Sequence, residues 1–180
     1  MSNPTCFYLL MSFIVVHLLS VDQSTATTTI NNDVIPFIRM SCNGTEYPHT
    51  CISVLEGDPR SRTTTDLKNL TRISMEIVYE EAIELNSLFI KAGENATDPI
   101  LKSNIRLCIG EFDIGSYHVK IYGIPYFDEG DYANANGQIG YIVGGSSNCN
   151  DTGTKLFNKE VETSFNFSCS VLDLLSMLPS

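Results

Sequence analysis

The chain has no tryptophan and only three histidines, His17, His49 and His118. That leaves little material for imidazole acid–base chemistry or for a histidine-rich metal centre. Cationic side chains are also scarce: 11 Lys and Arg stand against 21 Asp and Glu, for a formal net charge of -10. An acidic surface repels phosphate backbones, which argues against a nucleic-acid partner. The most apolar segment, Phe7 to Val21, covers 15 residues, short of the roughly 20 that a bilayer-spanning helix requires. Hydrophobic residues nevertheless make up 43% of the 180 positions and charged ones only 18%. This composition is too apolar for a disordered chain, and its length suits one domain.

The apolar segment lies at the N-terminus and gives way to the polar run SVDQSTATTT, with Ser24 and Ala26 at the small-residue positions of a cleavage site. It reads as a secretory signal peptide over residues 1–26, although no Lys or Arg precedes it, and leaves a domain over 27–180. Export sends the protein to the extracellular space or apoplast, or to the vacuole, with no membrane contact after cleavage. It also places Cys42, Cys51, Cys108, Cys149 and Cys169 in an oxidising compartment. Glycosylation sequons at Asn43, Asn69, Asn95 and Asn150 fit that route, as does a fifth, at Asn166, set among apolar neighbours.

Helical spacing dominates the rest. Gly44 and Pro48 punctuate the first cysteine segment, so a helix stops and restarts there. Asp58-Pro59-Arg60-Ser61 is a turn and helix-start signal. Leu67, Leu70, Ile73, Ile77, Leu85 and Phe89 then mark one stripe of a helix over Thr65 to Ala92, about 42 Å long. Gly93-Glu94-Asn95 ends it. Asp98 and Pro99 supply the N-cap and first position of the next helix. Beyond Phe112, Gly115, Gly123 and Pro125 break the pattern, and the segment reads as a strand or a broken helix. Tyr132, Ala135, Ile139 and Ile142 restore helical spacing despite Gly137, Gly140, Gly144 and Gly145. A loop from Asn148 to Lys159 holds Cys149, and Val161 to Leu178 forms a last amphipathic helix.

The candidates for chemistry are weak. His49 between two cysteines lacks the close ligand spacing that zinc demands. Ser116 and His118 belong to no nucleophile motif. Glu76, Glu80, Glu81 and Glu84 read as a solvated helix face. The glycine-rich stretch lacks the lysine of a phosphate loop. No catalytic residue, cofactor or metal is expected.

Several motifs in order carry a resemblance. They are Cys42 and Cys51 enclosing Thr45 and Tyr47-Pro48, then Asp58-Pro59-Arg60-Ser61 with Asp66-Leu67, then Asp98-Pro99-Ile100-Leu101-Lys102 leading to Cys108. Gly130-Asp131-Tyr132 and Cys149 follow. Together they resemble the plant invertase and pectin methylesterase inhibitors, from Ser41 to about Leu178. The resemblance implies an all-α fold: an up-down-up-down four-helix bundle behind an N-terminal helical hairpin. It implies disulfides Cys42–Cys51 and Cys108–Cys149, leaving Cys169 as a buried free thiol; four cysteines alone permit three pairings. Departures from the family pattern are Phe112 in place of Tyr, Gly115 in place of Ala, and Gly123 with Pro125 inside a helix. Some invertase-directed members carry Pro-Lys-Phe just after the Gly-Asp pair, where this chain has Tyr132, Ala133 and Asn134. Those three and Asp131 are the candidate interface residues.

The function so implied is a secreted inhibitor, not an enzyme. It would cap the cleft of a cell-wall or vacuolar carbohydrate enzyme 1:1. That enzyme is a pectin methylesterase or an invertase, with a lean to the first. Two alternatives are a disulfide-stapled helical lipid-binding protein, and a divergent family member without inhibitory activity.

Overall fold

A computed structural model describes residues 33–179, and the expected signal peptide lies outside them. The described chain is helical: α1 (Val34–Cys42), α2 (Pro48–Gly57), a short 3-10 turn (Ser61–Thr63), α3 (Leu67–Asn95), α4 (Pro99–His118), α5 (Ile124–Asp128), α6 (Tyr132–Asp151) and α7 (Asn158–Ser176). A π-turn, Val119–Gly123, joins α4 to α5 without a break in direction. Helices α3, α4, α6 and α7 pack in a closed ring, each against its chain neighbour and α7 back against α3. Their short connections make consecutive members antiparallel. Phe89, Phe112, Phe127 and Phe167 fill the centre, fully buried.

Local chemistry sets the helix starts. The carboxylates of Asp66, Asp98 and Asp131 each accept the backbone N–H three residues on, at 2.8, 2.7 and 3.1 Å. Each satisfies a donor that the first turn leaves orphaned. α3 therefore begins at Leu67, not Thr65, and it runs through Gly93 to Asn95. At Gly93 the helix lies close on α4, where an added Cβ would stand 3.2 Å from Ile105.

The segment expected to be a strand or broken helix is helical. Pro125 has no N–H for the carbonyl four residues back. The π-turn immediately before it absorbs the mismatch, with the Ile124 N–H reaching back to the Val119 carbonyl. Widened single turns are the usual device for such a defect. The two glycines of this segment let α4 and its extension lie close on α6. A Cβ on Gly115 would run into Ile142, and one on Gly123 would lie 3.0 Å from Gln138. Phe112 stacks on Phe89 at 6.1 Å with no exposure. A hydroxyl there would need a buried partner.

The cysteines pair as Cys42–Cys51, closing the turn between α1 and α2, and as Cys108–Cys149, joining α4 to α6. Cys149 does not sit in a loop: α6 continues to Asp151, and the loop contracts to 152–157. The loop is anchored where Asn104 Nδ2 donates to the Thr152 carbonyl at 3.0 Å. Phe157 then adopts a left-handed φ of 57°, and its ring meets Phe89 edge-on at 5.2 Å. That aromatic contact offsets the conformational strain.

The hairpin is tied to the bundle by charge. Asp58-Pro59-Arg60-Ser61 leads into the 3-10 turn, and no long helix starts there. Arg60 grips Glu80 through both terminal nitrogens, at 2.8 and 2.6 Å, and also Asp58 at 2.8 Å. Arg72 joins Glu76 at 2.8 Å to Asp128 at 2.7 Å. Arg60 holds the Asp58 carboxyl below its usual range. At the other end of the hairpin the Glu46 N–H donates to Asp173 of α7 at 2.8 Å. Glu76 and Glu80 are thus ion-paired and do not form a plain solvated face.

Glu81 departs further from that expectation. It lines a cleft of about 300 Å³ between α3 and α7, with Glu84, Leu85, Leu88, Lys159 and Glu160. One of its oxygens is buried without a hydrogen-bond partner. Burial, and secondarily the charge of Glu84, push its pKa up from 4.5 to about 7.

Two predictions follow from these contacts. By the chain-entropy estimate, loops of 9 and 41 residues contribute about 2.6 and 3.9 kcal/mol. Replacing Cys108 and Cys149 together by Ala should therefore lower the urea midpoint more than replacing Cys42 and Cys51. The reverse order would contradict the estimate. For Glu81 the folded state binds its proton more tightly than the unfolded chain does. Glu81's contribution to stability is then fully present at acidic pH and is lost as pH rises from about 4.5 through 7, by on the order of 3 kcal/mol. Glu81→Gln should flatten that slope in denaturant titrations across the same range.

Candidate functional site

The candidate residues Asp131, Tyr132, Ala133 and Asn134 cluster at one end of the bundle, where α5 turns into α6. Gly130 takes φ of 84°, its N–H bonds to the Phe127 carbonyl at 3.0 Å, and the Asp131 N–H bonds to Tyr126 at 2.8 Å. This pair of bonds is the Schellman end of α5, which requires the left-handed residue that glycine supplies. The next residue, Asp131, caps α6 at once. Its carboxylate accepts the Asn134 N–H at 3.1 Å and the Asn134 side-chain amide at 2.6 Å.

The Gly-Asp-Tyr triplet thus builds a rigid corner. Tyr132 is half-buried, its ring 5.2 Å from Phe127, with the Lys68 ammonium 5.8 Å above it. Ala133 is exposed. Asp131, Tyr132 and Ala133 border a depression of about 500 Å³, whose far wall is Leu175, Ser176 and Leu178 at the end of α7. Asn136 braces its floor by donating to the Leu172 carbonyl at 3.1 Å. The corner presents shape and hydrogen-bonding groups; it holds no nucleophile.

The remaining sequence candidates disperse. His49 is exposed in the first turn of α2. Ser116 donates to the Asp113 carbonyl at 2.9 Å. His118 instead faces α6, with Nδ1 2.8 Å from the Gln138 oxygen. Among the described residues no three His, Cys, Asp or Glu side chains gather as a metal group. Cys169 is half-buried and unbonded. Burial, with the charges of Glu46 and Asp173, pushes its thiol up to about 11, so it stays protonated and unreactive. Asn43, Asn69, Asn95 and Asn150 are exposed at or near helix ends, whereas Asn166 is half-buried within α7. No helix of the described residues is long and apolar enough to cross a membrane.

One surface escaped the sequence reading. Tyr117, His118 and Tyr122 share a face only if the helix continues past Gly115, and Tyr141 of α6 completes their cluster. The signal was their spacing, hidden by the glycines and Pro125.

Comparison with known proteins agrees with this architecture. The profile described as "Plant invertase/pectin methylesterase inhibitor" matches residues 36–161. The pectinesterase inhibitor of Actinidia deliciosa is 28% identical over 62% of this chain and 59% of its own length. A putative invertase inhibitor of Platanus acerifolia is 28% identical over 56% of this chain and 55% of its length. A putative pectinesterase/pectinesterase inhibitor of Arabidopsis thaliana is 39% identical over 43% of this chain, but over only 8% of its own. The chain therefore spans less than two thirds of each of these relatives. A crystal structure of a mutant pectin methylesterase inhibitor from Arabidopsis superimposes with a TM-score of 0.68 at 19% identity, covering 77% of this chain and 94% of that one. By the extent of the profile match, with the bundle and its disulfides, this chain belongs to the plant invertase/pectin methylesterase inhibitor family.

Proposed function

We propose that this protein is an exported inhibitor that closes the active-site cleft of a pectin methylesterase as a 1:1 complex. Family membership carries the reading. The fold supports it in two ways. The bundle is stapled and internally packed, so little ordering entropy opposes association. The two disulfides suit an oxidising, extracellular compartment.

The choice between targets rests on the α5–α6 corner. Some invertase-directed members present Pro-Lys-Phe there. Here the positions are Tyr132, Ala133 and Asn134, with Tyr132 packed on Phe127 and Asn134 tied to Asp131. No cation is available at the middle position, which favours pectin methylesterase over invertase. The exposed asparagines of the sequons at 43, 69, 95 and 150 are where glycans would lie on an exported chain.

The test is a titration of purified pectin methylesterase and of invertase with the mature protein at mildly acidic pH. Methylesterase activity should fall linearly to an equivalence point of one inhibitor per enzyme, while invertase is unaffected. Inhibition of invertase alone would reverse the target, and inhibition of neither would end the reading.

A further inference from the structure

Helix α6 is unusual for a surface element of so acidic a protein: from Tyr132 to Asn150 it carries no charged side chain. Its outer face bears Gly137, Gly140 and Gly144, all exposed. Unlike Gly115 and Gly123, these are not required by internal packing, because a Cβ on any of them would meet nothing within 4 Å. Each costs about 1 kcal/mol of helix propensity relative to Ala. Together with Glu111, Tyr141 and Asn148 they line a trough of about 280 Å³ along the α4–α6 seam.

An aromatic ledge borders the trough. The His118 ring stacks on Tyr141 at 3.7 Å and lies 5.6 Å from Tyr122, which is 5.8 Å from Tyr117. Tyr117, Tyr122 and Tyr141 are exposed by 53, 39 and 46%, and Ile114 and Ile121 extend the patch with 53 and 48%. Contiguous exposed apolar surface of this kind marks interaction sites. Tyrosine enrichment with charge depletion is the composition of interface cores. Acidic groups stand around it: Glu111 at the trough edge, Asp113 on α4, and Asp131 and Asp151 at the two ends of α6.

We infer that the glycine trough and tyrosine ledge of α4 and α6 form the energetic centre of the inhibitor's interface. Its occupant is a convex, uncharged ridge of the target enzyme bordered by Lys or Arg. This rests on the inhibitory function proposed above and names the surface that performs it. The absence of side chains at positions 137, 140 and 144 lets that ridge approach the helix backbone. The tyrosines supply rigid contact area at low entropic cost, as interface hot spots do. The acidic surround, in a chain of net charge -10, steers a basic partner and makes association salt-dependent.

The geometry permits a test in which folding and binding separate. Gly140→Leu and Gly144→Leu place bulk in the trough from a Cβ that meets no atom within 4 Å, and far-UV circular dichroism and the melting temperature of each variant establish that the fold is kept. Their affinity for the enzyme that the wild type inhibits should fall about ten-fold or more, a loss of about 1.4 kcal/mol. Tyr117→Ala, away from the trough floor, should weaken binding in the same assay. If the wild type inhibits and all three variants bind within two-fold of it, the surface assignment is wrong while the inhibitory function stands. If the wild type inhibits neither enzyme, the function fails and takes the occupant with it.

Discussion

The seam between α4 and α6 is the constraint on which the rest of the bundle depends. Cys108 is bonded to Cys149 at one end. Seven residues on, Gly115 lies against Ile142, and toward the other end Gly123 lies against Gln138. From Cys108 to Gly115 α4 advances seven residues while α6 recedes seven, from Cys149 to Ile142, which is the register of two antiparallel helices in close contact; across the π-turn to Gly123 the strict register is lost. The hydrogen bonds obey the same register: Asn104 to Thr152, Asn148 to Glu111, and His118 with Gln138. A covalent bond at one end and two missing side chains along the length fix the separation of the axes. Helices α3 and α7 then close the ring by ordinary apolar burial.

That seam is also where the sequence was hardest to read. α3 was legible because its apolar positions recur every three to four residues over a long span, and its buried face holds those positions: Leu70, Ile77, Leu85 and Phe89. α7 was legible as an amphipathic helix but not in its face, because the side that turns inward carries Ser164, Ser168 and Ser170 beside Val161, Phe167, Val171 and Leu174. The cap at Asp98 was legible from its single carboxylate followed by Pro99. The segment from Asp113 to Glu129 was not. Gly115, Gly123 and Pro125 lower helix propensity locally, and nothing in their own neighbourhood says that the tertiary fold repays it. The information lay some twenty residues away, in Ile142 and Gln138. The end of α6 was misread for the same reason. The contacts that hold Cys149 in a helix come from Cys108 and Asn104 on the facing helix.

The candidate site divides similarly. The Gly130-Asp131-Tyr132 triplet was visible as a motif, while the left-handed glycine, the capping carboxylate and the ring over the preceding turn that make it a corner are structural findings. What the sequence could not show is that those side chains are largely consumed by the corner itself. Asp131 and Asn134 bond each other, and Tyr132 packs on Phe127. The exposed tyrosines two turns away belong to two helices, and only the α4–α6 register assembles them.

The glycine content of α6 bears on how a weak helix is tolerated at an exposed position. Gly137, Gly140, Gly144 and Gly145 together lower its intrinsic stability by about 4 kcal/mol relative to alanine. Only the last of them has a neighbour that a side chain would press, Glu111 at 3.1 Å. The Cys108–Cys149 bond, closing a separation of 41 residues, contributes a similar amount through the unfolded state. The staple is anchored one turn from the end of the very helix that propensity disfavours. A helix held by a covalent bond can leave its outer face nearly bare. A helix that had to fold on propensity alone would need the alanines and charge pairs that α6 lacks. The disulfide therefore does more than add stability. It frees the sequence of α6 from the requirements of helix formation, and so lets its surface be shaped by whatever approaches from outside.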